Sequence, residues 1–79
     1  MLIEHQGRQF STIRGSDLNR DGMFLELSEA GSSNPLMEVF YSDVDRTFHI
    51  SGFGQPVPLP VAERFIVAAR ELLPPMPVA

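Results

Sequence analysis

The chain has 79 residues, no cysteine and a formal net charge of −4 at neutral pH. This length predicts one small domain over residues 1–79, for which dimerisation would be a reasonable way to bury more apolar surface. The absence of cysteine excludes a disulfide framework, a thiolate nucleophile and a cysteine-ligated zinc site. All six basic residues are scattered arginines, so this acidic chain is a poor candidate for binding nucleic acid.

No segment has the pattern of a signal peptide or the ~20 apolar residues of a membrane span. We therefore expect a cytoplasmic protein with no membrane partner. Its size and acidity are typical, by analogy, of small bacterial adaptor, accessory or immunity proteins.

The N-terminal segment predicts a β-hairpin formed by residues 1–5 and 8–13 about a turn at Gln6 and Gly7. Its place in the sheet, beside the next strand or at the far edge, is left open by the sequence. Residues 14–22 (RGSDLNRDG) predict a loop in which Asp21 and Gly22 turn the chain into that next strand.

Residues 23–28, 36–42 and 47–51 alternate in hydrophobicity and predict three consecutive antiparallel strands. A turn at residues 43–46 would place Phe40 opposite His49, and a loop at residues 31–35 would place Leu27 opposite Val39. One face of this meander is then apolar and is predicted to be the core face; it carries Met23, Leu25, Leu27, Met37, Val39, Tyr41, Phe48 and Ile50.

Residues 52–58 predict an extended connection to one helix over residues 60–73, which Pro74 and Pro75 end. Its apolar stripe consists of Val61, Ala62, Phe65, Ile66, Ala69, Leu72 and Leu73. The stripe and the apolar sheet face cover each other, and residues 74–79 are expected to be frayed. The predicted fold is α+β: an antiparallel meander of four to five strands with one C-terminal α-helix packed on one face.

The other sheet face is polar apart from two phenylalanines and predicts an interaction surface. The candidate protein-binding residues are Phe24, Leu36, Phe40 and His49. An alternative is that another segment of the chain covers the two phenylalanines.

The segment from Asp17 to Gly22 (DLNRDG) resembles the first half of an EF-hand calcium loop over these six residues. The resemblance implies a metal site with Asp17, Asn19 and Asp21 as oxygen ligands. The position of the bidentate carboxylate is, however, occupied by Ser28. A polar β-turn uses the same residue types, and we prefer that interpretation.

His49 lies on the same predicted face as Glu26 and Glu38, which suggests an enzyme with His49 as base and Ser51 or Ser42 as nucleophile. A flat sheet face offers neither a pocket nor oxyanion donors, so this hypothesis ranks third. The leading hypothesis is a non-enzymatic module that binds a protein partner or itself through the open face or a sheet edge, without a cofactor. The calcium site is the alternative.

Overall fold

The computed structural model describes residues 1–74, in which five strands form one antiparallel sheet in chain order, followed by one helix. The elements are β1 (Leu2–His5), β2 (Arg8–Asp17), β3 (Gly22–Glu29), β4 (Pro35–Ser42), β5 (Thr47–Gly52) and α1 (Leu59–Leu72). The predicted α+β meander with a C-terminal helix is confirmed. Of the predicted frayed tail, only Pro74 belongs to the described residues.

The first two strands form the predicted hairpin, and β2 places it beside β3. Gln6 and Gly7 have positive φ angles of 49° and 80°. A two-residue turn of this kind matches the twist of the strands that it joins, and it favours glycine at the second position.

The prediction of a loop over residues 14–22 is wrong, because β2 continues through Asp17 and pairs with the whole of β3. Gly15 fits within the strand because the Phe24 ring lies directly over it; a β-carbon at Gly15 would be 2.6 Å from Phe24 Cζ. Pairing with β3 therefore overrides the turn character of this segment.

The predicted register between the third and fourth strands is also wrong, by two residues. Leu25 lies opposite Val39 and Leu27 lies opposite Met37, whereas the loop-based register put Leu27 opposite Val39. A shift of two preserves which side chain is on which face, so hydrophobic alternation does not distinguish the two registers. The β4–β5 register is as predicted, including Phe40 opposite His49.

Helix α1 packs against the apolar face of the sheet. The buried core comprises Ile3, Phe10, Leu25, Leu27, Val39, Val61, Phe65, Ala68, Ala69 and Leu73. The predicted stripe needs one correction, since Ile66 and Leu72 are 38% and 37% exposed, whereas Ala68, which was not predicted, is buried.

The reason is the position of the helix on the sheet. Five strands about 4.8 Å apart span roughly 19 Å, whereas a helix is about 10 Å across, so one helix cannot cover the whole face. The helix lies toward β1, where the Arg64 guanidinium approaches the Glu4 carbonyl at 3.5 Å. The side chains nearest β5 are consequently left uncovered, and Ile50 is 55% exposed.

Candidate functional site

Phe40, one of the two phenylalanines of the open face, is covered. It is only 7% exposed, and its ring lies against the backbone of Gly22, where a β-carbon would be 2.5 Å from Phe40 Cζ. The Arg20 guanidinium also lies over the ring, 4.1 Å from its centroid. The cover is thus an arginine of the β2–β3 turn that lies in cation–π geometry.

Arg20 is held there by two carboxylates. Its terminal nitrogens donate to both Glu38 carboxylate oxygens at 3.0 and 2.9 Å, and its Nε donates to Asp17 Oδ2 at 2.5 Å. The hydrogen bonds to Glu38, and after them the one to Asp17, raise the pKa of Arg20. We call Arg20, Asp17, Glu38 and Phe40 the arginine cluster.

The arginine cluster compensates the charge of a buried glutamate in the sheet. Glu38 lies directly opposite Glu26 on the same face, and like charges in this position destabilise a strand pair. Glu38 is also buried, at 8% exposure, so its charge requires a partner. Arg20 supplies that partner, which the sequence analysis did not identify.

The four predicted protein-binding residues do not form one exposed surface. Phe40 is buried in the arginine cluster, and Phe24 is half-buried over Gly15. Leu36 packs against the core at a β-bulge between β3 and β4. Of the four, only His49 is exposed, and it belongs to the edge strand β5.

The calcium-loop candidates form a turn whose first carboxylate already has partners. Asp17 Oδ1 accepts hydrogen bonds from the backbone N–H groups of Asn19 and Arg20. The hydrogen bond from the Arg20 side chain is the largest cause of the lowered pKa of Asp17. Asp21 has a φ angle of 54° and turns the chain into β3. Within residues 1–74, no three histidine, aspartate or glutamate side chains are grouped so as to hold a metal ion.

Two of the proposed catalytic partners of His49, Glu38 and Ser42, have other partners. His49 Nε2 lies 2.9 Å from the Thr47 hydroxyl, while Glu38 pairs with Arg20. Ser42 is buried, and its hydroxyl accepts a hydrogen bond from the Asp45 N–H. The structure therefore does not join a histidine base to an orienting carboxylate at this position.

Apolar surface is accessible on the core side of the sheet where α1 stops short of β5. A groove of about 180 Å³ separates the helix from the strand. Its lining residues are Val39, Phe48, His49, Ile50, Ile66 and Arg70. Strand β5, together with Ile66 and Arg70, is called the β5 margin below.

Among residues 1–74, the outer edge of β5 carries no charged residue, proline or covering strand that would prevent strand pairing. The strand (TFHISG, residues 47–52) contains no aspartate, glutamate, lysine, arginine or proline. Natural edge strands are usually protected by such residues, by a bulge or by a covering segment. This lack of charge is the signal by which the sequence analysis could have found the margin.

The direction of the free backbone groups follows from the ladder. The Phe53 N–H donates to the Leu36 carbonyl, and bonded positions alternate along an antiparallel pair. Thr47, His49 and Ser51 therefore direct their backbone groups toward β4. The backbone groups of the other three residues of β5, which are Phe48, Ile50 and Gly52, point away from the sheet.

A broader depression of about 780 Å³ lies on the far side of the helix, beside Met1. Val67, Ala68 and Leu72 form its apolar part, and Glu63 and Glu71 add negative charge.

No helix in residues 1–74 is long and apolar enough to cross a membrane. Comparisons of this chain with protein-family models, with curated proteins and with solved structures give no match.

Proposed function

We propose that this protein is a small non-enzymatic interaction module that binds an extended protein segment along the β5 margin, the segment belonging either to another protein or to a second copy. The observation that carries the proposal is the uncharged outer edge of β5 beside the half-exposed Ile50. Three expectations from the sequence belong to this proposal. The protein is cytoplasmic, it uses no cofactor, and it does not bind nucleic acid.

Strand addition supplies affinity and selectivity from different groups. The outward backbone groups of Phe48, Ile50 and Gly52 would give the added strand its ladder hydrogen bonds, each worth about 0.5–1.5 kcal/mol net. The groove beside Ile50 and Ile66 would accept alternate side chains of that strand. An extended segment with β-branched or aromatic residues at every second position therefore fits this margin best.

The open face is a weaker candidate surface than the β5 margin. Arg20 removes Phe40 from contact with solvent, and Glu26 and Glu38 give this face negative charge. The calcium alternative is weaker as well, because a cation at Asp17 would compete with the Arg20 ion pair.

The test uses two matched isoleucines. Ile50 in β5 and Ile13 in β2 are 55% and 60% exposed, so Ile50→Lys and Ile13→Lys each put one charge in place of one exposed strand isoleucine. A phage-displayed library of random twelve-residue peptides is selected against the wild type, and the enriched peptides are measured against both variants by fluorescence anisotropy.

We expect the wild type to enrich peptides with alternating apolar residues, Ile50→Lys to lose their binding, and Ile13→Lys to retain it. The proposal fails if no peptide is enriched and the wild type also stays monomeric at about 1 mM, where a contact of about −4 kcal/mol would be half-saturated. It also fails if Ile13→Lys abolishes binding and Ile50→Lys does not.

A further inference from the structure

We infer that the strand that occupies the β5 margin is β5 of a second copy, so that two copies join across a two-fold axis into one ten-stranded antiparallel sheet. This inference rests on the proposed function and names its partner.

The charges of the molecule favour this occupant. The chain carries a net charge of −4, and contact between most parts of two copies would bring like charges together. Strand β5 is an uncharged stretch of six residues, so two copies can pair along it without opposing charged side chains of the strand itself. The acidic residues of the adjoining turn, Asp43 and Asp45, lie outside the paired segment.

The geometry of the outward backbone groups allows symmetric pairing. In a two-fold antiparallel pair, each outward-facing residue must lie opposite another outward-facing residue. With Phe48, Ile50 and Gly52 facing outward, two of the registers that satisfy this condition pair five residues of each β5 strand. One places Ile50 opposite Ile50 of the second copy, and the other places Ile50 opposite Phe48 of the second copy.

Both registers bury the exposed Ile50 against an apolar side chain. A two-fold axis normal to the sheet also keeps both helices on the same side. Each Ile66, 38% exposed, then borders a single apolar channel above the new strand pair. The side chains that α1 leaves uncovered in one copy thus acquire a cover that a second copy supplies.

The size of the contact sets the expected affinity. One strand pair with about five residue pairs, and a few apolar side chains, bury less than the roughly 1,200 Å² of a standard stable interface. The dimer is therefore weak and exchanges with monomer, with a dissociation constant between about 1 μM and about 1 mM.

The experiment combines sedimentation velocity of the full chain over this concentration range with NMR of an equal mixture of ¹³C-labelled and unlabelled protein. We expect a concentration-dependent dimer and an intermolecular Hα–Hα contact from His49 to His49 or Ser51 of the second copy, because these are the non-hydrogen-bonded pairs of the two registers. Ile50→Lys is expected to weaken the dimer at least about tenfold, and Ile13→Lys is expected to leave it unchanged.

A wild type that stays monomeric throughout the range overturns the inference, and so does a dimer that Ile50→Lys leaves intact. A monomeric wild type that still selects peptides at the β5 margin leaves the proposed function standing. Failure of the inference and failure of the proposed function are therefore distinguishable.

Discussion

The two edge strands of this sheet differ in how far the helix covers them. Strand β1 has four residues, its Ile3 is completely buried under α1, and its Glu4 carbonyl is approached by Arg64. Strand β5 has six residues, its Ile50 is 55% exposed, and no charged residue lies along it. Among the described residues, one helix thus protects one edge of the five-stranded sheet and leaves the other edge uncovered.

The largest expected difference between the edges is in packing. Ile3→Ala should lower the free energy of unfolding by about 2–5 kcal/mol, because it opens a cavity between β1 and α1. Ile50→Ala should change it by about 0.5 kcal/mol or less in the monomer, because that side chain is already half in water. Urea unfolding at low protein concentration measures both, and equal losses would contradict the described difference between the edges.

The arginine cluster covers part of the opposite face of the sheet, the face that α1 does not contact. Arg20→Ala should lower the free energy of unfolding by about 1–3 kcal/mol, because it leaves the buried Glu38 unpaired opposite Glu26 and uncovers Phe40. Arg14→Ala is the control, since Arg14 is exposed and makes no ion pair among the described residues; its expected change is about 0.5 kcal/mol or less. Urea unfolding measures the free energy of unfolding of both variants. A loss in Arg20→Ala no larger than that in Arg14→Ala would show that the arginine cluster does not contribute to stability.

Proline substitutions test the assignment of inward and outward backbone groups in β5. His49→Pro removes an N–H that faces β4 and should lower the free energy of unfolding by about 1–2 kcal/mol more than Ile50→Pro, whose N–H faces outward. Thermal unfolding by circular dichroism ranks the two variants. The reverse order would show that the assignment is inverted and that the outward groups are those of Thr47, His49 and Ser51.

The smallest expected effect is a pH dependence of the free energy of unfolding that arises from two ion pairs of the β2–β3 hairpin. Glu29 pairs with Arg8, and Asp17 pairs with Arg20, at opposite ends of the β2–β3 hairpin. In each pair the hydrogen bond from the arginine lowers the pKa of the carboxyl group. A lowered folded-state pKa gives stability that is present above the unfolded-state value of about 4 and is lost as the pH falls below it.

Urea midpoints measured from about pH 6 down to about pH 2 should therefore decline. Arg8→Ala and Arg20→Ala should each show a shallower decline than the wild type, because each removes the cause of one pKa shift. Parallel curves for the wild type and both variants would show that these ion pairs do not contribute to the acid sensitivity.

Local pattern was sufficient wherever one physical cause dominated. Turn chemistry and hydrophobic period act over a few residues, so they can be read from the sequence alone. They predicted the turns at Gln6–Gly7 and at residues 43–46, the alternation of β4 and β5, and the single helix. The β3–β4 register was not predictable in this way, because registers two residues apart preserve the same faces. Residues 14–17 were assigned to a loop because their composition favours turns, while their pairing with β3 is a long-range effect.

The candidate site shows the same division. The sequence by itself determined the chain's antiparallel meander, its helix and the division of residues between two sheet faces, since side-chain period fixes these. Only the tertiary structure decided that Arg20 covers Phe40 and that α1 lies over β1 and not over β5. Both depend on how a turn and a helix of limited width are placed on a wider sheet, and that placement is set by contacts between residues far apart in the chain.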